Sequence, residues 1–234
     1  NSVLAGRKPE RMPFISFGFW DEKAMLKLAP PECCDENMLH LLSDEPQRDV
    51  FSAEPRTAES RERAIRMGNF LDTCTLGVGK GGLLQFGHGG PGEIQPHVIE
   101  RTATYKILQY EGGHKRRVNF EPYAVHYFDF PVHTIDDVER LELPDMRDPA
   151  RYIDIEGDCQ AFLAADFVPA ASIQGFFSGI HNSFMDFQDT MEALVLNPDL
   201  VARLTERLAR MSLDAVEMHL ARGVRIINIC DDLG

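Results

Sequence analysis

Two stretches of the chain are apolar on both faces, which is the pattern of buried parallel strands. They are FVPAASI at residues 167–173 and VRIINI at residues 224–229. Between them, apolar side chains recur at helical spacing from Val201 to Met218, and Asn197 and Pro198 mark the start of that helix. The order of strand, helix and second apolar strand predicts an α/β fold whose helices cover a parallel sheet.

The middle of the chain alternates instead. The segments TATYKILQY (102–110) and KRRVNFEPY (115–123) flank Gly112–Gly113, which is a hairpin signal. Before them lies GVGKGGLLQFGHGGPG (77–92), which contains GxGxxG. Proline and more glycine follow it where a dinucleotide fingerprint would open a helix, so we expect a long loop there. Residues 77–133 are therefore interpreted as a glycine-rich loop and a β-hairpin flap within one domain spanning 1–234.

Cap residues predict further helices. Thr57 precedes AESRERAIRMGNFLD, Thr134 precedes IDDVER, and a helix is expected from Pro149 to about Ala165. The segment MPFISF (12–17) has the pattern of an early strand. Strands alternating with helices favour a (β/α)8 TIM barrel, in which catalytic groups lie at the carboxyl ends of the strands.

Composition and charge narrow the function classes. The chain has 234 residues, of which 44% are hydrophobic and 26% charged, and its formal net charge is -13. That acidity argues against nucleic acid and membrane surfaces as partners. No apolar run is long enough for a transmembrane helix, and no signal peptide is visible. The five cysteines include no CxxC pair, which favours the cytoplasm over a disulfide-forming compartment.

Two adjacent carboxylates are the first candidates for chemistry. Asp231 and Asp232 follow the last predicted strand directly, where an acid can hold a cation or act as general acid or base. The alternative is that an aspartate there caps a following helix. Because neighbouring side chains of an extended segment point to opposite sides, we expect one of the two to lie in a site and the other to act as a cap.

The segment QGFFSGIHNSF (174–184) supplies the second group of candidates and is expected to be a loop. Gln174 is a candidate hydrogen-bonding partner for a substrate, Phe176 and Phe177 for stacking on a flat ring, and His181 for proton transfer. Trp20 follows the early strand and is a candidate pocket wall. Core packing is the alternative for the aromatic side chains, and a surface position is the alternative for His181.

Three phrases, taken in order, resemble the uroporphyrinogen decarboxylase superfamily. They are LAGRKPERMPF, the long segment ERTATYKILQYEGGHKRRVNFEPYAVHYFDFPVHTIDDVERLELPD, and NPDLVARLTERLARMSLDAVEMHLARGVRIINICDDLG. The second is similar to the flap of the methyltransferase-like and uncharacterised branches. The resemblance covers nearly the whole chain in patches. The arginine-rich RQAGRY phrase of the true decarboxylases is absent, because FGFWDE stands in its place.

The resemblance implies a (β/α)8 TIM barrel with a β-hairpin flap, here incomplete at the C-terminus. It implies a methyltransferase that moves a methyl group between a small substrate and a corrinoid (cobalamin) carrier. The alternatives are a cofactor-free decarboxylase of a porphyrinogen-like or smaller carboxylic acid, and a non-catalytic ligand-binding barrel. The implied cofactors are a corrinoid and zinc, the zinc ligands being expected beyond Gly234. The expected partners are the small-molecule substrate, a corrinoid protein, and a second copy of the chain in a homodimer.

Overall fold

The computed structural model describes residues 27–34, 57–79, 83–84 and 97–231. The helices in these ranges are α1 (Ala58–Phe70), α2 (Ile135–Arg140), α3 (Ile155–Ala164), α4 (Phe176–Ser183), α5 (Phe187–Leu196) and α6 (Pro198–Ala221). The strands are β1 (Thr75–Gly77), β2 (Leu83–Leu84), β3 (His97–Arg101), β4 (Tyr105–Gln109), β5 (Lys115–Asn119), β6 (Ala124–Phe128), β7 (Val168–Gln174) and β8 (Ile226–Cys230). The predicted strand 12–17, most of the glycine-rich segment, Trp20 and Asp232 lie outside the described residues.

A parallel sheet forms around β7. Strands β1 and β2 pair one after the other along one edge of β7, with Thr75 opposite Val168 and Leu83 opposite Ser172. Strand β8 pairs along the other edge, with Ala170 opposite Ile226. The prediction that the two apolar segments are parallel neighbours in one sheet is therefore confirmed.

The predicted (β/α)8 TIM barrel is wrong. Within the described residues, the four parallel strands fill three positions of an open sheet, and strands β3–β6 form a second, separate sheet. A closed barrel of this type needs eight tilted parallel strands joined edge to edge. Apolar strand patterns predicted parallel pairing correctly, but they carry no information on how many strands join the sheet or whether its edges meet.

The second sheet is antiparallel, in the order β3-β4-β5-β6. Strands β4 and β5 pair from Gln109 opposite Lys115 to Tyr105 opposite Asn119, so the predicted hairpin is confirmed. The turn between them places Gly113 at a φ of 99°, a left-handed conformation that favours glycine. We call residues 97–128 the flap.

Helix starts follow the predicted caps with two exceptions. The Thr57 hydroxyl accepts a hydrogen bond from Ser60 N at 3.1 Å, and Thr134 forms a capping box with Asp137. Asn197 stands at the N-cap of α6 without a side-chain cap bond. The predicted helix from Pro149 is divided into a 3-10 turn, Pro149–Tyr152, and α3, because Asp154 between them adopts a φ of 61°.

One buried ion pair fastens helices to the parallel sheet. Asp158 of α3 is 1% exposed and accepts hydrogen bonds from Arg61 Nε at 2.8 Å and from Gly79 N at 2.7 Å. Arg61 lies on α1 and Gly79 follows β1, so a single carboxylate connects two helices and the end of a strand. No described helix combines the length with the apolar character that crossing a bilayer requires.

Candidate functional site

Strands β7 and β8 end side by side at the carboxyl edge of the parallel sheet. Gln174, the last residue of β7, is paired in register with Cys230, the last residue of β8. Gly175 and Asp231 follow these strands, and α4 begins one residue later at Phe176. In open α/β sheets this edge is where ligands bind. The residues around these two strand ends therefore form the candidate site.

The two faces of the sheet differ in chemistry near this edge. Ala171, Ile173 and Ile227 belong to the hydrophobic core under the helices. Alternate residues point the opposite way, so Ser172 and Asn228 lie on the other face together with Gln174. Asn228 Nδ2 donates to Ser172 Oγ at 3.5 Å. We call these three residues, Ser172, Gln174 and Asn228, the polar strip.

Gln174, at the end of the polar strip, has a side-chain oxygen without a hydrogen-bonding partner in the described part of the chain. Its side chain is 8% exposed, and Oε1 has no hydrogen-bonding partner among the described residues. Leaving a buried amide oxygen unpaired costs about 1–3 kcal/mol, and such atoms in folded proteins call for a specific explanation. A ligand that donates a hydrogen bond to Oε1 would supply one only after neighbouring side chains move aside, because Oε1 is closed to solvent in this structure. The prediction that Gln174 contacts substrate remains a prediction.

Asp231 caps a helix that starts on the neighbouring strand. Its carboxylate accepts hydrogen bonds from Ser178 N at 2.8 Å and from Phe177 N at 3.3 Å, in the first turn of α4. A negative charge there also complements the helix dipole. This carboxylate therefore lies against the segment that follows Gln174. The capped helix is α4 and not one that follows Asp231. A catalytic role for Asp231 remains a prediction, and Asp232 lies outside the described residues.

Gly175 is required by the same contact. A Cβ placed on Gly175 would lie 2.2 Å from the Asp231 Cγ atom. The backbone φ of Gly175 is -69°, which any residue adopts, so the requirement is for space. The sequence pattern missed this residue, because its partner lies far along the chain.

The segment predicted as a loop is helix α4. It forms because Gly175 lets the Asp231 carboxylate approach and satisfy its first amide groups. Phe176 packs partly against the core, so the alternative of core packing applies to it. The Phe177 and His181 rings are partly exposed, with centroids 4.9 Å apart. Both contact Phe187 of α5, at centroid distances of 6.2 and 5.3 Å.

The structure brings together most of the candidates that it describes. Gln174 and Asp231 lie at adjoining strand ends, and Phe177 and His181 lie on the helix that begins there. Sequence reasoning missed Ser172 and Asn228, although each is a polar residue inside an otherwise apolar strand segment. In the described part of the chain, no three His, Cys, Asp or Glu side chains lie close enough to hold a metal ion.

Comparison with known proteins adds no relative. No protein-family model matches the chain, and no curated protein matches it.

Proposed function

We propose that the chain binds a small substrate on the polar strip and moves a methyl group between that substrate and a corrinoid on a partner protein. The observation that carries the substrate site is the buried, unpaired Oε1 of Gln174 at the carboxyl edge of the sheet. A glutamine amide donates and accepts hydrogen bonds, so it can fix the orientation of a carbonyl, hydroxyl or amine group. The proposed compartment is the cytoplasm, which the cysteine pattern favours.

The reaction class rests on the sequence resemblance to the methyltransferase-like branches. A bound corrinoid supplies a cobalt centre that exchanges the methyl group. The residues at this edge suit a large flat group, because the partly exposed rings of Phe177 and His181 lie on the helix that begins beside Gln174. In this proposal the two rings bound the flat group, and Gln174 orients the substrate.

Asp231 has a positioning role in this proposal. By capping α4 it fixes the helix turn that carries Phe177, and Gly175 permits that contact. Substitution of Asp231 by Asn keeps the shape and weakens the cap. We expect a moderate fall in turnover with a higher KM, as for a residue that holds the site in place. Near-complete loss of kcat with unchanged stability would instead assign Asp231 to the chemistry.

The test uses methylcobalamin as the probe, with a panel of small thiols as acceptors. Transfer of the methyl group is measured as the loss of methylcobalamin in the dark, monitored by its visible absorbance. Gln174→Ala should lower kcat/KM about tenfold or more, since a buried hydrogen bond to substrate is lost. The matched control is Gln188→Ala, an exposed glutamine of α5 that bonds Glu192.

Two outcomes would contradict the proposal. If the wild-type chain leaves methylcobalamin intact and instead releases CO2 from porphyrinogen-like or smaller carboxylic acids, the decarboxylase alternative replaces methyl transfer. If Gln174→Ala and Gln188→Ala behave alike with every substrate, the polar strip is not the substrate site.

A further inference from the structure

One face of the flap carries a positive charge that no described carboxylate neutralises. Arg116 of β5 lies opposite Leu108 of β4 and Tyr127 of β6, on the face that buries Leu108 and Val118. Its guanidinium donates a hydrogen bond from Nη1 to the Tyr110 hydroxyl at 3.2 Å and lies 5.1 Å from the centre of the Tyr127 ring. In the described part of the chain, the ionisable groups that act on this charge are all tyrosines, and Nε is buried without a hydrogen-bonding partner.

A buried histidine beside Arg116 also lacks hydrogen bonds. His114 is fully buried, and neither Nδ1 nor Nε2 has a hydrogen-bonding partner among the residues that the structure describes. Its ring stacks on the Tyr110 ring at a centroid distance of 4.7 Å and lies 6.2 Å from the Tyr127 ring. Tyr110 and Tyr127 therefore flank both His114 and Arg116. We call these four residues, Tyr110, His114, Arg116 and Tyr127, the flap cluster.

The groups that lack partners in the flap cluster have one chemical need in common. Removing an ion from water without a counter-ion is strongly unfavourable, so largely buried charges in folded proteins are paired. Buried polar atoms are also hydrogen-bonded as a rule, and an exception calls for an explanation such as a bound ion. An arginine presents its N–H groups in a planar fork that matches the oxygens of carboxylates and phosphates. An oxyanion would supply both the negative charge and the hydrogen-bond acceptors.

We propose that the flap cluster binds the oxyanion group of a small ligand, held by the Arg116 guanidinium and by a ring nitrogen of His114. The anion approaches from the side on which Arg116 and Tyr127 are partly exposed. The nitrogens of His114 are closed to solvent, so the Tyr127 ring has to move before the anion contacts the imidazole. The inference is independent of the proposed methyl transfer, because it uses neither the polar strip nor a corrinoid.

Other charges near the flap cluster are engaged with partners of their own. Glu111, three residues before His114, pairs with Arg151 at 2.7 Å, and Lys115 pairs with Asp129. Lys106 lies on the same face as Arg116, one inward-facing position beyond Leu108, and is buried with interactions of its own. The charge that calls for an anion is therefore that of Arg116.

Anion binding should be linked to the protonation of His114. Burial, and then the positive charge of Arg116, lower the pKa of His114 to about 4, whereas the Ser183 backbone raises it. An anion held between the ring and the guanidinium offsets the repulsion from Arg116, so it should raise the pKa of His114. Because linkage is reciprocal, the protonated chain should bind the anion more tightly than the neutral one. Affinity is therefore expected to increase as the pH falls from 7 to 5.

The probes are sulfate, which keeps its double negative charge between pH 7 and pH 5, and acetate, which carries a carboxylate. Each replaces chloride at constant ionic strength. Urea denaturation measures the stabilisation by each anion, which increases with anion concentration if the folded state alone binds it. Proton NMR of the histidine rings, assigned with His114→Gln, measures the pKa of His114. We expect sulfate to stabilise the wild-type chain and to raise this pKa from about 4 towards the usual range of histidine.

Variants locate the binding. Arg116→Met should weaken sulfate binding about tenfold or more, because charge-assisted hydrogen bonds are lost. Without anion it should be at least as stable as the wild-type chain, since a largely buried charge is removed, so lost binding is not lost folding. The matched control is Arg117→Met, because Arg117 is exposed on the opposite face, 4.0 Å from the Tyr105 ring. It removes the same charge and should change affinity by about twofold at most. His114→Gln should weaken binding and remove its dependence on pH.

Three results would overturn the proposal. Equal stabilisation of the wild-type chain and of Arg116→Met by sulfate would mean that the anion acts through exclusion from the protein surface. Equal losses in Arg116→Met and Arg117→Met would mean that net charge alone attracts it. A pKa of His114 that changes with neither sulfate nor acetate would show that no anion lies beside the ring. Within a positive result, tighter binding of sulfate would assign a phosphate- or sulfate-bearing ligand, and tighter binding of acetate would assign a carboxylate.

Discussion

The flap and the parallel sheet differ in how far apart along the chain their paired strands lie. In the flap, Gln109 pairs with Lys115 across a short turn. In the parallel sheet, Thr75 pairs with Val168, and Ala170 pairs with Ile226. Local pairing follows from alternation and a turn signal, whereas parallel pairing needs a crossover and a partner far away. The comparison predicts that single substitutions at long-range contacts disturb the parallel sheet and leave the flap folded.

The largest effect is expected at the carboxylate that joins three elements. Asp158→Ala removes one of the two carboxylate partners of Arg61, which keeps its pair with Asp154, and it leaves the Gly79 amide and the Arg61 Nε group unsatisfied. We expect a loss of about 4 kcal/mol in the free energy of unfolding, the usual scale for breaking a buried ion pair. Urea denaturation followed by circular dichroism measures it.

The matched control for that substitution lies in the flap. Lys115 pairs with Asp129 at the surface, so Lys115→Ala should cost well under about 1 kcal/mol. Amide hydrogen exchange in Asp158→Ala should show lost protection in β1 and β7, with β4 and β5 still protected. Equal loss of protection in both sheets would show that they unfold as one unit. It would contradict the prediction that the flap stays folded when the parallel sheet is disturbed.

The second effect concerns space at the candidate site. Gly175→Ala places a Cβ against the Asp231 carboxylate, so either the start of α4 or the end of β8 must move. We expect a loss of about 3 kcal/mol, the upper range for overpacking. Adding Asp231→Gly removes the obstructing side chain. The double variant should therefore recover most of the loss, short of about 1 kcal/mol for the missing cap. A double variant no more stable than Gly175→Ala would refute the steric explanation.

The same contrast of range explains what the sequence pattern predicted. The hairpin of the flap and the Thr57 and Thr134 caps depend on local residue patterns. The pairing of the two apolar strands is long-range, and it was predicted because both segments are apolar throughout and a helix joins them. The barrel was wrong because the number of strands and the closure of a sheet depend on distant segments. Helix α4 was missed for the same reason, since its cap comes from Asp231 on another strand. Candidate side chains were recognised by residue type, but the unpaired state of Gln174 became visible only in three dimensions.

The stability of the flap should depend on pH through a buried histidine. His114 is fully buried, stacked on Tyr110 with ring centroids 4.7 Å apart, and close to Arg116 and Tyr127. Burial, and then the positive charge of Arg116, lower the pKa of His114 to about 4. The folded state therefore favours the neutral ring. Its stabilising contribution is complete above the unfolded pKa of about 6.5 and is lost as the pH falls towards 4.

Hydrogen exchange and urea denaturation between pH 7 and pH 4 check this dependence. We expect a loss of about 3 kcal/mol in the flap, the difference that corresponds to a pKa lowered from 6.5 to about 4, and His114→Gln should largely remove it. The control is His219, a buried histidine of α6 whose pKa burial also lowers. His219→Gln should change the pH dependence of the helical region and not that of the flap. A flap whose stability does not vary with pH in the wild-type chain would show that His114 is not held neutral.

The smallest expected change in stability is at Gln174. Its sign shows whether the amide of Gln174 stabilises the fold or is available for binding. Gln174→Leu replaces an amide whose oxygen is unpaired by an apolar group of similar size. Removing an unsatisfied buried polar atom is neutral or favourable, so we expect the free energy of unfolding to rise by about 1 kcal/mol. Gln174→Glu places a charge there without a partner and should destabilise the sheet.

Asn228→Leu is the contrasting variant, because it breaks the hydrogen bond to Ser172 and should be destabilising. If Gln174→Leu proves markedly less stable than the wild-type chain, the amide is serving the fold, and the polar strip loses the observation that makes it a substrate site.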